Sequence, residues 1–309
     1  MNLQQLRIIA EAVQRELNLT EVAKALHTSQ SGVSKHIMDL ELELGIDIFV
    51  RRGKRLVELT EPGKELVELV NRIMLDVKSI RGIAEQFSSR DTGQLTLATT
   101  HTQARYSLPP VVSEFKKAFP NVQLVLHQGG PSELVAMLMA GQADVAIATD
   151  ALDNIPEFAT FPYYSWHHTV IVPPGHPLDS KRAATIEEIA GFPIITYSEG
   201  FTGRGRVDEA FAKAKLEPNI VMSALDADVI KAYVELGLGV GIVAAMAFNA
   251  DRDKALRMVP SEHLFEASTT SIAVRRGAYL RDFTCRFVKL CVPSITDADV
   301  RTAAQADAK

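Results

Sequence analysis

Apolar residues near the start of the chain recur at helical spacing, at Leu6, Ile9, Val13 and Leu17, so the first element is a helix with a single core stripe. Thr20 reads as the N-cap of a second helix at 21–26, with Val22, Ala23 and Leu26 facing inward. A tight turn at His27 and Thr28 follows, and Ser29 caps a third helix to about residue 43. Along that helix Val33, Ile37 and Leu40 face the core, which leaves Gln30, Ser31, Ser34 and Lys35 on a polar face. Gly45 ends the helical run. Two short strands, 46–50 and 56–59, then flank a turn containing Arg51, Arg52, Gly53, Lys54 and Arg55, a basic wing. Glu61-Pro62-Gly63 opens a long helix to about Phe87, whose apolar stripe, including Leu66, Ile73 and Ile80, needs a partner to cover it. The polar, glycine-ended stretch 88–93 marks a domain boundary.

Beyond residue 93 the period alternates between two and 3.6. Strands are expected at 94–99, 122–127 and 144–148, with helices at 103–119 and 132–140 between them, an alternation that builds parallel βαβ units. The pattern changes between Pro156 and Pro162. It resumes with strands at 169–172, 193–197, 220–223, 240–244 and 271–275 and a helix at 227–236. Two α/β lobes follow, the chain crossing between them near residue 162 and returning near 268. A cleft between such lobes is a natural small-molecule site. The expected fold class is therefore α/β: a winged helix-turn-helix at 1–60, a linker and dimerisation helix at 61–90, and a two-lobed part at 91–309. Lobe I comprises 91–162 and 269–292, and lobe II comprises 163–268. The alanine-rich tail, 297–309, reads as a helix with a frayed end.

Net charge is −5 over 309 residues, which by itself argues against a polyanionic partner. Its distribution reverses that inference. Residues 1–90 hold 13 Lys and Arg against 13 Asp and Glu, and four of those cations, Arg51, Arg52, Lys54 and Arg55, fall within five residues. Local fields of this kind set the electrostatic footprint for DNA. Cys285 and Cys291 match neither a disulfide framework nor a zinc set. His167 and His168 are strand neighbours whose side chains point to opposite faces, so they do not form a metal pair. The series Gly237, Gly239 and Gly241 follows a helix and leads into a strand, the reverse of a dinucleotide loop. Neither metal nor cofactor is called for, and no nucleophile–base pair can be placed, so the chain does not read as an enzyme. No apolar run reaches the roughly 20 residues of a membrane helix, and the first 17 residues are amphipathic rather than a secretory leader. The expected location is the cytoplasm, away from membranes.

Thr99, Thr100, Thr102 and Gln103 cluster where a strand ends and a helix begins, a place where free backbone N–H groups attract anions and hydroxyl donors stand alongside. Thr149 follows another strand at its C-terminal end, and Thr202 lies in a glycine-flanked loop before a helix. A threonine in a strand is also favourable there for its β-branching alone.

The run from Leu19 to Gly63 resembles the DNA-binding module of LysR-type regulators: Ser29-Gln30-Ser31, Ser34, Leu40-Glu41, Leu44-Gly45, Ile48-Phe49-Val50-Arg51 and Leu59-Thr60-Glu61-Pro62-Gly63 stand where that family's pattern has its marks. Ser31 departs from the usual proline, which only pre-sets the first turn. Within the family, the stretches 98–109, 127–129, 143–149, 200–204 and 226–244 are similar to the CysB and Cbl subgroup, which controls sulfur assimilation and cysteine biosynthesis. The resemblance covers nearly the whole chain and implies a periplasmic-binding-protein-like effector domain. It implies Thr100, Thr102, Gln103, Thr149 and Thr202 as effector contacts, with Trp166 walling the pocket. DNA would meet Ser29, Gln30, Ser31, Ser34 and Lys35 on the recognition helix, and Arg51, Arg52, Lys54 and Arg55 on the wing. The implied partners are promoter double-stranded DNA, a small anionic effector of the N-acetylserine, O-acetylserine, sulfate or thiosulfate class, further copies of the chain as a dimer of dimers, and RNA polymerase. The rival reading is an anion- or amino-acid-derivative-binding transport-type protein, which leaves residues 1–63 without a purpose.

Overall fold

The computed structural model describes residues 1–53, 55–88, 91–201 and 203–306. The chain divides into two compact units, Met1–Ala84 and Glu85–Lys309.

In the first unit, α1 (Leu3–Gln14) opens with a capping box in which Asn2 Oδ1 accepts from Gln5 N and Gln5 Oε1 accepts from Asn2 N. Helix α2 (Leu19–Ala25) is capped by Asn18, whose Oδ1 accepts from the N–H groups of Thr20 and Glu21. Thr20 is thus not the cap. Starting two residues earlier places Leu19 in the core, and Asn holds the cap geometry at least as well as Thr. Helix α3 (Gln30–Leu44) begins at Ser29, whose Oγ accepts from Gly32 N at 3.1 Å, and ends at Gly45 with φ +70°. The wing pairs β1 (Phe49–Arg52) with β2 (Arg55–Leu59) in antiparallel register. The expected strand start at 46 moves to Phe49, because a carboxylate on α3 takes up the N–H groups at the entry. Helix α4 (Glu61–Ser88) follows at once. Its Gly63 is required by contact: a Cβ there would lie 2.1 Å from the carbonyl oxygen of Ile48. Leu6, Ile9, Val22, Val33, Ile37, Leu40, Phe49 and Val70 share one core.

In the second unit, β3 (Gly93–Thr99) lies at the centre of parallel pairs with β4 (Val122–Gln128) and β5 (Val145–Thr149). A π-helical turn, Gln103–Ser107, precedes α5 (Leu108–Ala118), where one continuous helix was expected. Pro109 and Pro110 carry no N–H, so an unbroken α-helical ladder cannot run through them. After α6 (Pro131–Met139) comes β6 (Phe158–Trp166), an unanticipated edge strand. Pro162 sits at a register shift on that edge, one of the few places in a sheet that tolerates proline. The chain then passes at His167 into the second sheet, built from β7 (His168–Val172), β8 (Ile194–Tyr197), β9 (Ile220–Ala224), β10 (Val240–Ala244) and the short β11 (Arg257–Val259). Helices α7 (Ile186–Ala190), α8 (Arg204–Lys213) and α9 (Ala227–Glu235) belong to this lobe. The return strand β12 (Ser268–Arg275) inserts between β5 and β6, and α10 (Asp282–Cys291) and α11 (Asp297–Gln305) close the chain. Sheet orders are β4-β3-β5-β12-β6 and β11-β7-β10-β8-β9. Both cysteines are buried on α10, and burial raises their thiols, Cys285 to about 11. No helix among the described residues is long and apolar enough to cross a membrane.

Candidate DNA-binding and effector sites

On α3, Gln30, Ser31 and Lys35 are exposed and Ser34 is half-buried, so the expected face is presented by one helix beginning at the Ser29 cap. The Ser29 hydroxyl is engaged in holding that helix start, with Gly32 N and with Ser31 Oγ at 3.1 Å. The wing cations divide. Arg51 Nη2 donates to Glu41 Oε2 at 2.5 Å, and the other oxygen of Glu41 accepts from Ile48 N at 2.9 Å and Phe49 N at 3.2 Å. Glu41 is 8% exposed, so Arg51 neutralises a buried carboxylate and ties β1 to α3. Arg52 and Arg55 are exposed and directly opposite each other across the hairpin. Like charges in that register repel, and a polyanion laid against them removes the penalty. Lys54 lies outside the described residues.

The effector candidates gather at the C-terminal ends of β3 and β5, the edge at which open α/β sheets bind ligands. Gln103, Thr149 and Trp166 converge on one hydroxyl that sequence reasoning did not single out, Thr270 of β12. Its Oγ1 accepts from Gln103 Nε2 at 3.2 Å and Trp166 Nε1 at 3.1 Å, and lies 3.0 Å from Thr149 Oγ1. The Gln103 carbonyl oxygen accepts from Ser107 Oγ at 2.8 Å and Tyr164 OH at 2.5 Å. Gln103 is fully buried and its carboxamide is held by three protein side chains. Thr100 is buried at the end of β3, and its carbonyl starts the next turn by accepting from Ala104 N. The Thr102 side chain bonds the hydroxyl of Tyr197, which belongs to the other lobe and also accepts from Ala244 N. Thr202 lies outside the described residues.

Beside this cluster a cavity of about 360 Å³ opens between the lobes. Pro131, Thr149 and Asp150 line it from one side; Gly203, Arg204 and Arg206 line it from the other. Gly203 is the N-cap of α8, with φ +66° and no side-chain cap, and the first turn of that helix lines the cavity, its Arg204 N and Arg206 N bonded to the carbonyls of Phe201 and Gly203. A Cβ at Gly203 would come within 2.7 Å of Ser268 Oγ and 2.9 Å of His168 Cε1, so only glycine lets the helix approach this closely. Arg204 is buried and braced by Tyr197 O and Asp208, while Arg206 pairs with Glu209 and Glu266. The Thr149 hydroxyl, the start of α8 and two guanidinium groups face the cavity together with the carboxylates of Asp150 and Glu209, a lining with donors for an anionic group and acceptors for a cationic or hydroxyl group. Thr270 and Tyr164 escaped the sequence reading because Thr270 is one of four hydroxyl residues in a row on a strand, and Tyr164 falls between the break read at 156–162 and the next strand expected at 169.

Residues 88–294 match the family described as LysR substrate binding domain, and residues 3–64 match bacterial regulatory helix-turn-helix protein, lysR family. The chain is 54% identical over 300 residues to the HTH-type transcriptional regulator SsuR of Burkholderia cenocepacia, covering 97% of each chain. It is 48% identical over 309 residues to the regulator CysB of the same organism, covering 100% of this chain and 99% of the relative. It is also 48% identical over 301 residues to the regulator cbl of Escherichia coli, covering 97% and 95%. Among solved structures, the cofactor-binding domain of the Cbl transcriptional regulator superposes with TM-score 0.67 at 44% identity, covering 70% of this chain and 95% of that one. With two family matches that take in both units, and relatives along its full length, this chain belongs to the LysR family of transcriptional regulators, in the group that holds CysB, Cbl and SsuR.

Proposed function

We propose that this regulator binds promoter DNA through residues 1–60 and reads, in residues 91–309, a small anionic compound of sulfur metabolism, of the N-acetylserine, O-acetylserine, sulfate or thiosulfate class. In this reading it acts in the cytoplasm as an activator of genes for sulfate assimilation and cysteine biosynthesis, with RNA polymerase as a further partner. Gln30, Ser31, Ser34 and Lys35 meet base edges or phosphates in the major groove, and Arg52 and Arg55, joined by Lys54, meet the backbone. The exposed apolar stripe of α4, with Ile80 66% and Phe87 82% exposed, supports assembly with further copies of the chain through residues 61–90.

The observation that carries the effector reading is the position of Thr149. It bonds the Thr270 hub on one side and lines the interlobe cavity on the other, opposite the first turn of α8. A thermal-shift screen with sulfate, thiosulfate, N-acetylserine and O-acetylserine tests it. A ligand at 100 times its Kd stabilises the fold that binds it by about 2.7 kcal/mol. One of the four should shift the melting transition of the full chain. No shift with any of them at millimolar concentration would rule out the sulfur class.

A further inference from the structure

The two lobes meet at a second place, apart from the cavity and from the chain crossings. Asp228, in the first turn of α9, receives three groups from lobe I. Tyr106 OH donates to Asp228 Oδ1 at 2.7 Å, Arg105 Nε donates to Oδ2 at 3.3 Å, and His101 Nε2 lies 3.7 Å from Oδ2. From its own lobe, Lys231 Nζ stands 3.1 Å from Oδ1. Lys231 is itself buried, donates to Ala247 O at 3.0 Å, pairs with Asp253 at 3.2 Å, and lies 5.3 Å from the centre of the Tyr106 ring. Tyr106 is therefore held by its hydroxyl and its ring face together.

Arg105 and Tyr106 belong to the π-helical turn Gln103–Ser107, two and three residues beyond Gln103. That turn is fastened to lobe I by the Gln103 carboxamide and to lobe II by Asp228. Short π-helical insertions occur often at functional sites. If the lobes rotate, the turn must either break its bonds to Asp228 or move with lobe II. In the second case Thr102 and Gln103 shift relative to Thr149 on β5, whereas the bonds to Asp228 hold the turn in its present place only while the lobes keep theirs.

We propose that Asp228 is a positioning residue for effector binding: it locks the turn carrying Thr102 and Gln103 to the second lobe, and so sets the geometry in which the cleft receives its ligand. The proposal rests on the effector site described above. A metal at this place is the competing thought, since ligand atoms of His101, Asp226 and Asp228 all lie within 4.8 Å of one another. The protein's own cations already occupy that ground: Arg105 and Lys231 flank Asp228, and Asp226 accepts from Val229 N as the cap of α9.

The test uses the full-length chain in two arms. In the first, spin labels on cysteines introduced at the exposed positions Asn121 of lobe I and Glu217 of lobe II report the interlobe distance. The native thiols are buried and do not compete. Asp228→Ala and, as the gentler variant, Tyr106→Phe should broaden the single distance of the parent; an unchanged distribution in both overturns the lock. In the second arm, N-acetylserine and sulfate are titrated calorimetrically. Each variant should bind about 3- to 30-fold more weakly, and the double variant should be no weaker than the worse single one, since both remove the same link. Full affinity despite a broadened distance overturns the positioning role. If neither compound binds the parent protein, the compound found in the thermal-shift screen takes their place; if that screen finds none, the effector reading fails and the distance arm alone decides the lock.

Discussion

Glu41 and Arg51 stand ten residues apart in sequence and 2.5 Å apart in space, and through them the recognition helix α3 is bolted to the first strand of the wing. Glu41→Ala leaves two buried backbone N–H groups and a guanidinium without their acceptor. The expected cost is about 2–4 kcal/mol, read as an earlier denaturation transition of the N-terminal unit. A variant as stable as the parent would show that this carboxylate does not hold the wing.

The same relationship sorts the basic residues. Arg52→Ala and Lys35→Ala should weaken binding to any duplex and reduce the slope of log K against log salt by about one each. Arg51→Ala should act chiefly through stability, because its charge is balanced within the protein by Glu41. Equal salt slopes for the three variants would contradict this division.

Thr270→Val keeps the β-branched shape and removes the hydroxyl that Gln103, Trp166 and Thr149 share. Two buried N–H donors lose their acceptor, which costs about 1–3 kcal/mol each. Trp166 is the sole tryptophan of the chain, so its fluorescence reports the hub without labelling. The emission should change in Thr270→Val and stay at the parent value in a surface control such as Thr302→Val. An unaltered spectrum would mean that the indole does not depend on this hydroxyl.

What could be read from sequence was what is encoded locally. The polar face of α3, its Ser29 start and Gly45 stop, the basic hairpin and most strands with their order along the chain follow from spacing, caps and turn residues within a few positions. The failures have physical causes of two kinds. Asn18 and Thr20 both have capping side chains, and only the burial of Leu19 decides between them. Pro162 breaks a strand pattern on paper, yet an edge strand with a shifted register accepts it. The site was legible as a cluster of threonines near strand ends. Its hub was not, because Thr149 and Thr270 are 121 residues apart, and Tyr106 and Asp228 are 122 apart. No periodicity records partnerships of that range.

The Asp228 carboxyl also has a signature in acid. Burial would raise it, but the Tyr106 hydroxyl, Lys231 and Arg105 outweigh burial and hold it at about 2, below its ordinary 3.8. A carboxyl lowered by folding contributes stability that is present above about pH 4 and is lost as pH falls toward 2. Tyr106, pushed up by burial and by Asp228, keeps its proton throughout and remains the donor. Acid-unfolding curves of the parent and Asp228→Asn should therefore differ above pH 4 and draw together toward pH 2. A gap that stays constant with pH would contradict the charge-based account.

The central claim is that the hydroxyl cluster at the ends of β3 and β5 binds the effector and so governs DNA binding. The most direct measurement is calorimetric titration of the tightest compound from the thermal-shift screen into Thr100→Val and Thr149→Val, paired with a DNA mobility-shift assay with and without that compound. Valine retains the shape and β-branching, so the fold and basal DNA binding should stay near those of the parent. Each lost donor should cost about 1–3 kcal/mol of affinity for a charged ligand, and the response on DNA should need correspondingly more compound. Two variants that bind the compound as the parent does, and respond on DNA at the same concentration, would show these threonines to be structural and would place the effector elsewhere.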